Sequence, residues 1–238
     1  MLDGLTAALT PSELEALRLS LKVAAVSVLA SLPIGFALAW LLARHRFPGK
    51  TLLDAVIHLP LVLPPVVIGY LLLVLFGRRG PLGEWLEQNF GVVFAFRWTG
   101  AALACSLMGL PLLVRAIRQS LESIDRRLEA AAATLGAGRF WVLATITIPL
   151  SLPGIITGML LSFARSLGEF GATITFVSNI PGETQTLPLA IYTYTQVPGG
   201  DAQAMRLCVV SVLLSLAALL VSELLVRRAN RRVFGDAH

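Results

Sequence analysis

The feature that most limits the fold of this chain is a series of apolar runs. Several of them exceed the ~18–20 residues a helix needs to cross a hydrocarbon core. Five segments read as membrane helices: Leu17–Ala43, Thr51–Phe76, Val92–Ile117, Trp141–Phe163 with some continuation, and Ala202–Val226. Across the 238 residues, 56% are hydrophobic, only 14% are charged and the mean hydropathy is +0.78. Soluble domains carry about 25% charged residues, so a soluble enzyme, a disordered chain and a disulfide scaffold are all excluded. The expectation is an all-α integral membrane protein.

Between the fourth and fifth runs lies 166–200, half-polar and rich in Gly and Pro, with a short apolar piece, Leu187–Tyr194. Eight residues at ~1.5 Å each cannot span a bilayer. The piece therefore reads as a short or re-entrant helix, giving five spans, or six if it is counted.

Basic residues set the expected orientation. With the N-terminus outside, the inner side holds Arg44, Arg46, Lys50, Arg115, Arg118, Arg126, Arg127, Arg139, Arg227, Arg228, Arg231 and Arg232, or 12 of the 19 Lys and Arg. Eight of the 14 acids fall outside, so the net charge agrees, and the C-terminus is placed in the cytoplasm. On this reading 1–13 is a periplasmic segment, 14–226 the transmembrane domain and 227–238 a basic cytoplasmic tail. The start, with Asp3, Glu13 and Glu15 and no basic n-region, does not resemble a cleaved signal peptide. The pI of 9.9 follows from loop arginines, and nucleic acid is not an expected partner. Cys105 and Cys208 lie inside apolar runs without CxxC spacing and read as small buried residues.

The loop 123–140 carries the strongest chemical signal. Ser123 is placed to cap a helix, Glu129 and the four alanines after it favour one, and Gly136 and Gly138 suit its end. Such a small-faced helix fits a groove on another protein. The order Glu129-Ala130-Ala131, then Gly136, then Ile146-x-Ile148-Pro149 resembles the coupling motif of ABC importer permeases. Two details depart from that family's pattern: Glu129 lies seven residues before Gly136 rather than six, and Ile148 replaces a leucine. The extra residue turns the acid by about 100°. The block from Phe163 to Phe176, with Arg165 and Glu169, resembles the permeases for molybdate, tungstate and sulfate. Its continuation through Asn179-Ile180-Pro181-Gly182 to Thr186 resembles the molybdate group.

The resemblance implies a type I importer permease acting as a homodimer, with the anion path between the copies. It implies a cytoplasmic ABC ATPase dimer that uses ATP and Mg, and a periplasmic molybdate-binding protein. It also implies a coupling surface at Glu129, Ala130, Ala131 and Gly136, in a multi-pass protein of the bacterial inner membrane. The chain itself has no GxxxxGK[ST] loop, so neither catalysis nor a bound cofactor or metal is expected of it. Thr173, Thr175, Ser178 and Asn179 read either as linings of an anion path or as groups bonded to nearby backbone. Arg165 and Glu169, four apart, read as a structural ion pair or as anion ligand and gate. Asp54 and His58 share that spacing and read as a pair near the inner end. Pro60, Pro64, Pro65, Pro111, Pro149 and Pro153 mark kinks. A sulfate, thiosulfate or tungstate permease is the nearest alternative. A membrane enzyme lacks HExxH, GxSxG or a ligand cluster to support it, and a passive anion channel gives no reason for the Glu-Ala-Ala loop.

Overall fold

The computed structural model describes residues 9–234. Residues 1–8 and 235–238, parts of the expected N-terminal segment and basic tail, lie outside the described residues.

The first helix, α1 (Pro11–Arg44), starts with a capping box. The Thr10 amide donates to Glu13 Oε2 at 2.7 Å while the Glu13 amide donates to Thr10 Oγ1 at 3.4 Å. At about 51 Å it is longer than a ~30 Å hydrocarbon core. Residues 23–43 hold no charged side chain and, at about 32 Å, match that core. The charged side chains of its first three turns fall outside that stretch.

The second apolar run does not form one straight span. It divides into α2 (Lys50–Val62) and α3 (Pro65–Phe76), which meet at 111°. Pro64 and Pro65 are the cause. The residue before a proline is pushed out of the α region, and Leu63 accordingly sits at φ −70°, ψ 143°. The broken pair still changes level. Ile57 packs with Ala39, Leu42 and Ile117 in one apolar cluster, whereas Ile68 and Leu72 pack with Leu19, Val23 and Ala101 in another. A short helix that hydropathy does not mark, α4 (Pro81–Phe90), follows. Consequently α5 (Trp98–Ser123) starts later than the expected Val92.

Next come α6 (Arg126–Thr134) and α7 (Arg139–Val142), the latter running through a π-helical turn (Leu143–Thr147) into α8 (Ile148–Leu167). Two short helices, α9 (Gly171–Val177) and α10 (Leu187–Gln196), precede α11 (Asp201–Phe234). At ten residues α10 is the short helix expected from the sequence. Among the described residues, four helices are long and apolar enough to cross a membrane, and the bent pair α2–α3 makes five.

The centre of the bundle is α5, packed between α1 and α8 through small residues. A Cβ at Gly109 would collide with Ser162 Oγ, so α5 and α8 approach closely there, as small residues permit in membranes. Polar links mark the two ends. At one, Arg206 of α11 grips Glu13 (Nη2–Oε1 2.6 Å), the Leu187 amide donates to Ser20 Oγ at 2.7 Å, and Lys22 lies 3.5 Å from the Trp98 ring centroid. At the other, Arg44 meets Glu129 and Arg118 meets Asp54. The loop between α5 and α7 thus stands at the opposite end from the start of α1.

Candidate coupling surface and anion path

Asp125, rather than the expected Ser123, caps α6: its Oδ1 accepts the Arg127 amide at 2.9 Å. Ser123 still belongs to α5 and donates to the Ser120 carbonyl at 2.8 Å. An aspartate can serve as well as serine here, because either side-chain oxygen reaches an N2 amide. At the far end Gly136 adopts φ +88°. The Ala137 amide donates to Ala132 O at 3.1 Å and the Gly136 amide to Ala133 O at 3.0 Å. These are the two bonds of a Schellman ending, which places a left-handed residue where glycine is least strained.

Glu129 faces back toward the bundle. Its Oε1 accepts from Arg44 Nη2 at 2.7 Å and from Thr147 Oγ1 at 2.8 Å. One carboxylate thereby joins α6 to the end of α1 and to the π-helical turn. That turn carries an i→i−5 bond, Ile148 N–H to Leu143 O, and Thr147 is its last residue. Ala130 and Ala131 point outward and are exposed. Beside them stand Leu135, 89% exposed, and Phe140, 80% exposed, which the sequence reading passed over, and Trp141, 63% exposed, expected only as the start of the fourth run.

At the other end of α8 the helix stops at Gly168, and Arg165 and Glu169 pair across the break with Nη1–Oε2 at 2.6 Å. Glu169 is buried (side chain 1% exposed) and its Oε1 also accepts the Ala172 amide at 2.8 Å, so it caps the start of α9. Arg165 is 27% exposed and makes no other hydrogen bond among the described residues. Thr173 donates to Phe170 O at 2.9 Å and Thr175 to Gly171 O at 2.8 Å. Ser178 adopts φ +65°, and its carbonyl accepts from Thr184. Asn179 donates to Thr193 Oγ1 at 2.7 Å and accepts from Gln185 Nε2 at 3.0 Å. The two threonine hydroxyl donors are thus committed to their own helix, while Arg165 retains free guanidinium N–H groups. Residues 165–179 are contiguous, but they do not form one pocket with the loop at 123–140.

Three further polar links escaped the sequence reading. Ser27 and Ser166 share a hydrogen bond at 3.0 Å, and Ser106 donates to Ser27 O at 3.0 Å, tying α1, α5 and α8 at one depth. Glu13 and Arg206, 193 positions apart, form a buried pair. Asp54 and His58 do meet, with His58 Nδ1 at 2.8 Å from Asp54 O and 3.4 Å from Oδ1, but Asp54 also binds Arg118 of α5 at 3.1 Å.

A bundle of this form, with an exposed short helix held at one end, is the arrangement of ABC importer permeases. The chain belongs to the family of binding-protein-dependent transport system inner membrane components, whose profile matches residues 31–235. It is 62% identical over 224 residues to the molybdenum transport system permease protein ModB of Escherichia coli K12, covering 94% of this chain and 98% of that one. It is 37% identical over 230 residues to the sulfate transport system permease protein CysT of the same organism, covering 94% and 80%. Among solved structures, a bacterial ABC transporter that imports alginate superposes with a TM-score of 0.71 at 18% identity, covering 92% of this chain and 80% of that one. The MetNI methionine transporter superposes at 0.65 and 14%, covering 92% and 94%. The protein is therefore a multi-pass transport component of the bacterial inner membrane.

Proposed function

We propose that this chain is the permease subunit of a molybdate importer, two copies of which enclose the path for the anion. The N-terminus lies in the periplasm and the C-terminus in the cytoplasm. A periplasmic binding protein delivers molybdate to the outer mouth, and a cytoplasmic ABC ATPase dimer hydrolyses MgATP against the α6 face. The observation that carries the substrate assignment is the 62% identity over nearly the whole chain to a molybdenum permease, against 37% to a sulfate permease.

The geometry suits the work. Moving a dianion through hydrocarbon is costly unless a solvated cavity opens alternately to each side. That requires helices that move as units when the ATPase pulls. Ala130, Ala131 and Gly136 present a small, closely approachable face, with Leu135 projecting as an apolar anchor. Glu129 acts from behind: through Arg44 and Thr147 it passes displacement of α6 to α1 and α8. At the far end of α8 the break at Gly168, spanned by the Arg165–Glu169 pair, is where α8 gives way to α9. The free N–H groups of Arg165 offer the anion a transient contact, while Glu169 keeps that contact weak enough for release.

The test is uptake of radiolabelled molybdate at nanomolar concentration in cells with and without the gene, in competition with excess sulfate. Loss of uptake without the gene and poor competition by sulfate are expected. Unchanged molybdate uptake with reduced sulfate uptake would move the assignment to sulfate and leave the fold and the coupling scheme standing.

A further inference from the structure

At the end of the bundle that carries α6, a cavity of about 590 Å³ opens beside that helix, lined by Arg44, Arg126, Arg139, Glu129, Trp40 and Phe140 among others. It lies along the side of α6 marked by Arg126, Glu129 and Ala133, away from the outward alanines Ala130 and Ala131. Three guanidinium groups face it against a single carboxylate, and that carboxylate is already spent on Arg44 and Thr147. Arg44 is only 10% exposed, yet its Nε is buried without a hydrogen-bond partner. Arg126 makes one long bond, 3.4 Å, to Ala43 O, and Arg139 makes none among the described residues. With the one carboxylate committed, the cavity wall is left with surplus positive charge, which a bound anion would offset.

We propose that this pocket binds the phosphate of an anionic phospholipid headgroup, held by Arg44, Arg126 and Arg139. Depth and shape select the lipid over a soluble phosphate. Residues 23–43 fill the hydrocarbon core, so Arg44 stands at its edge, in the layer where headgroup phosphates lie. Trp40, one turn inside that edge and edge-on to His45 at 4.7 Å, occupies the depth at which indole rings sit in membranes. Phe140, exposed at the rim, is placed against glycerol and the first acyl carbons. Basic pockets between helices at this depth suit anionic headgroups, and guanidinium matches phosphate in a two-pronged grip. The bound lipid would brace the Glu129 clamp from the side. The inference rests on α1 crossing the membrane and is independent of the molybdate assignment.

The test is native mass spectrometry of the full chain in detergent, after exchange into phosphatidylglycerol or phosphatidylcholine. Arg126→Gln with Arg139→Gln removes two rim charges without disturbing the clamp. Arg227→Gln removes one from α11, where the side chain is exposed and, among the described residues, pairs with Glu223 at 2.7 Å. One phosphatidylglycerol retained per protomer in the wild type and in Arg227→Gln, at least fivefold less in the double variant, and no retained phosphatidylcholine are expected. Equal retention in the double variant overturns the proposal. Displacement of the lipid by an equal concentration of inorganic phosphate overturns the lipid source. Unchanged lipid retention with loss of ATPase assembly in the double variant assigns the pocket to the ATPase instead.

Discussion

Two glutamates in this chain do formally the same thing, and the contrast between them is instructive. Glu129 and Glu169 each accept an arginine and a second donor. Glu169 joins neighbours in sequence: Arg165 is one turn back and the Ala172 amide three residues on, so the carboxylate pins consecutive helices across the Gly168 break. Glu129 joins strangers, since Arg44 is 85 positions away and Thr147 lies 18 positions ahead, beyond two turns of chain. The first is sealed inside the bundle and the second sits at its wet edge, with side chains 1% and 22% exposed. A buried local pin holds a shape, whereas an edge clamp between distant elements transmits movement from one to another.

That division predicts opposite orders of effect on stability and on coupling. The largest stability loss is expected at the buried pin. Glu169→Ala leaves the Arg165 charge and the Ala172 amide without their acceptor, costing on the order of 3 kcal/mol, and detergent-solubilised protein should unfold at clearly lower temperature. A loss under about 1 kcal/mol would mean that water or Arg165 movement already relieves the site, and the pin would not be one.

A smaller loss is expected at the clamp. Glu129→Ala removes two charge-assisted bonds at a partly solvated site, for about 2 kcal/mol, yet it frees α6 from both α1 and the π-helical turn. Molybdate uptake should therefore fall at least tenfold while the ATPase still hydrolyses ATP, as read from the ratio of uptake to hydrolysis in proteoliposomes. If that ratio is unchanged, force passes from α6 to the spans by another route.

The two regions were also unequally legible in the sequence. The i,i+4 spacing announces Arg165–Glu169, because helix geometry alone brings those positions together. No spacing announces Arg44–Glu129 or Glu13–Arg206, whose partners meet only after α1 has packed against the rest. The spans themselves follow from hydropathy, which is why α1, α8 and α11 lie close to their expected ranges. Hydropathy measures burial but not direction, so it does not register that Pro64 and Pro65 turn the second run through 111°. Nor does it mark α4, a short helix in which Glu84, Glu87, Gln88 and Asn89 interrupt the apolar residues Trp85, Leu86 and Phe90. The outward residues of the proposed coupling surface were half visible. Ala130, Ala131 and Gly136 fit a known pattern, but Leu135 was masked by its place among them.

Leu135 gives the smallest stability effect and the cleanest separation of the two roles. At 89% exposure it contributes almost no burial in the isolated chain, and it sits at the helix end with the Ala131 and Ala133 carbonyls accepting its amide regardless of side chain. Leu135→Asp should therefore change unfolding by no more than about 0.5 kcal/mol. A charge there would nonetheless be buried without a partner wherever an apolar groove receives the residue, so association with the ATPase should weaken by tenfold or more, about 1.4 kcal/mol. Co-purification of the two subunits at graded concentrations measures it. Unimpaired association would show that the ATPase groove does not receive this side chain, and would leave the contact to Ala130 and Ala131 alone.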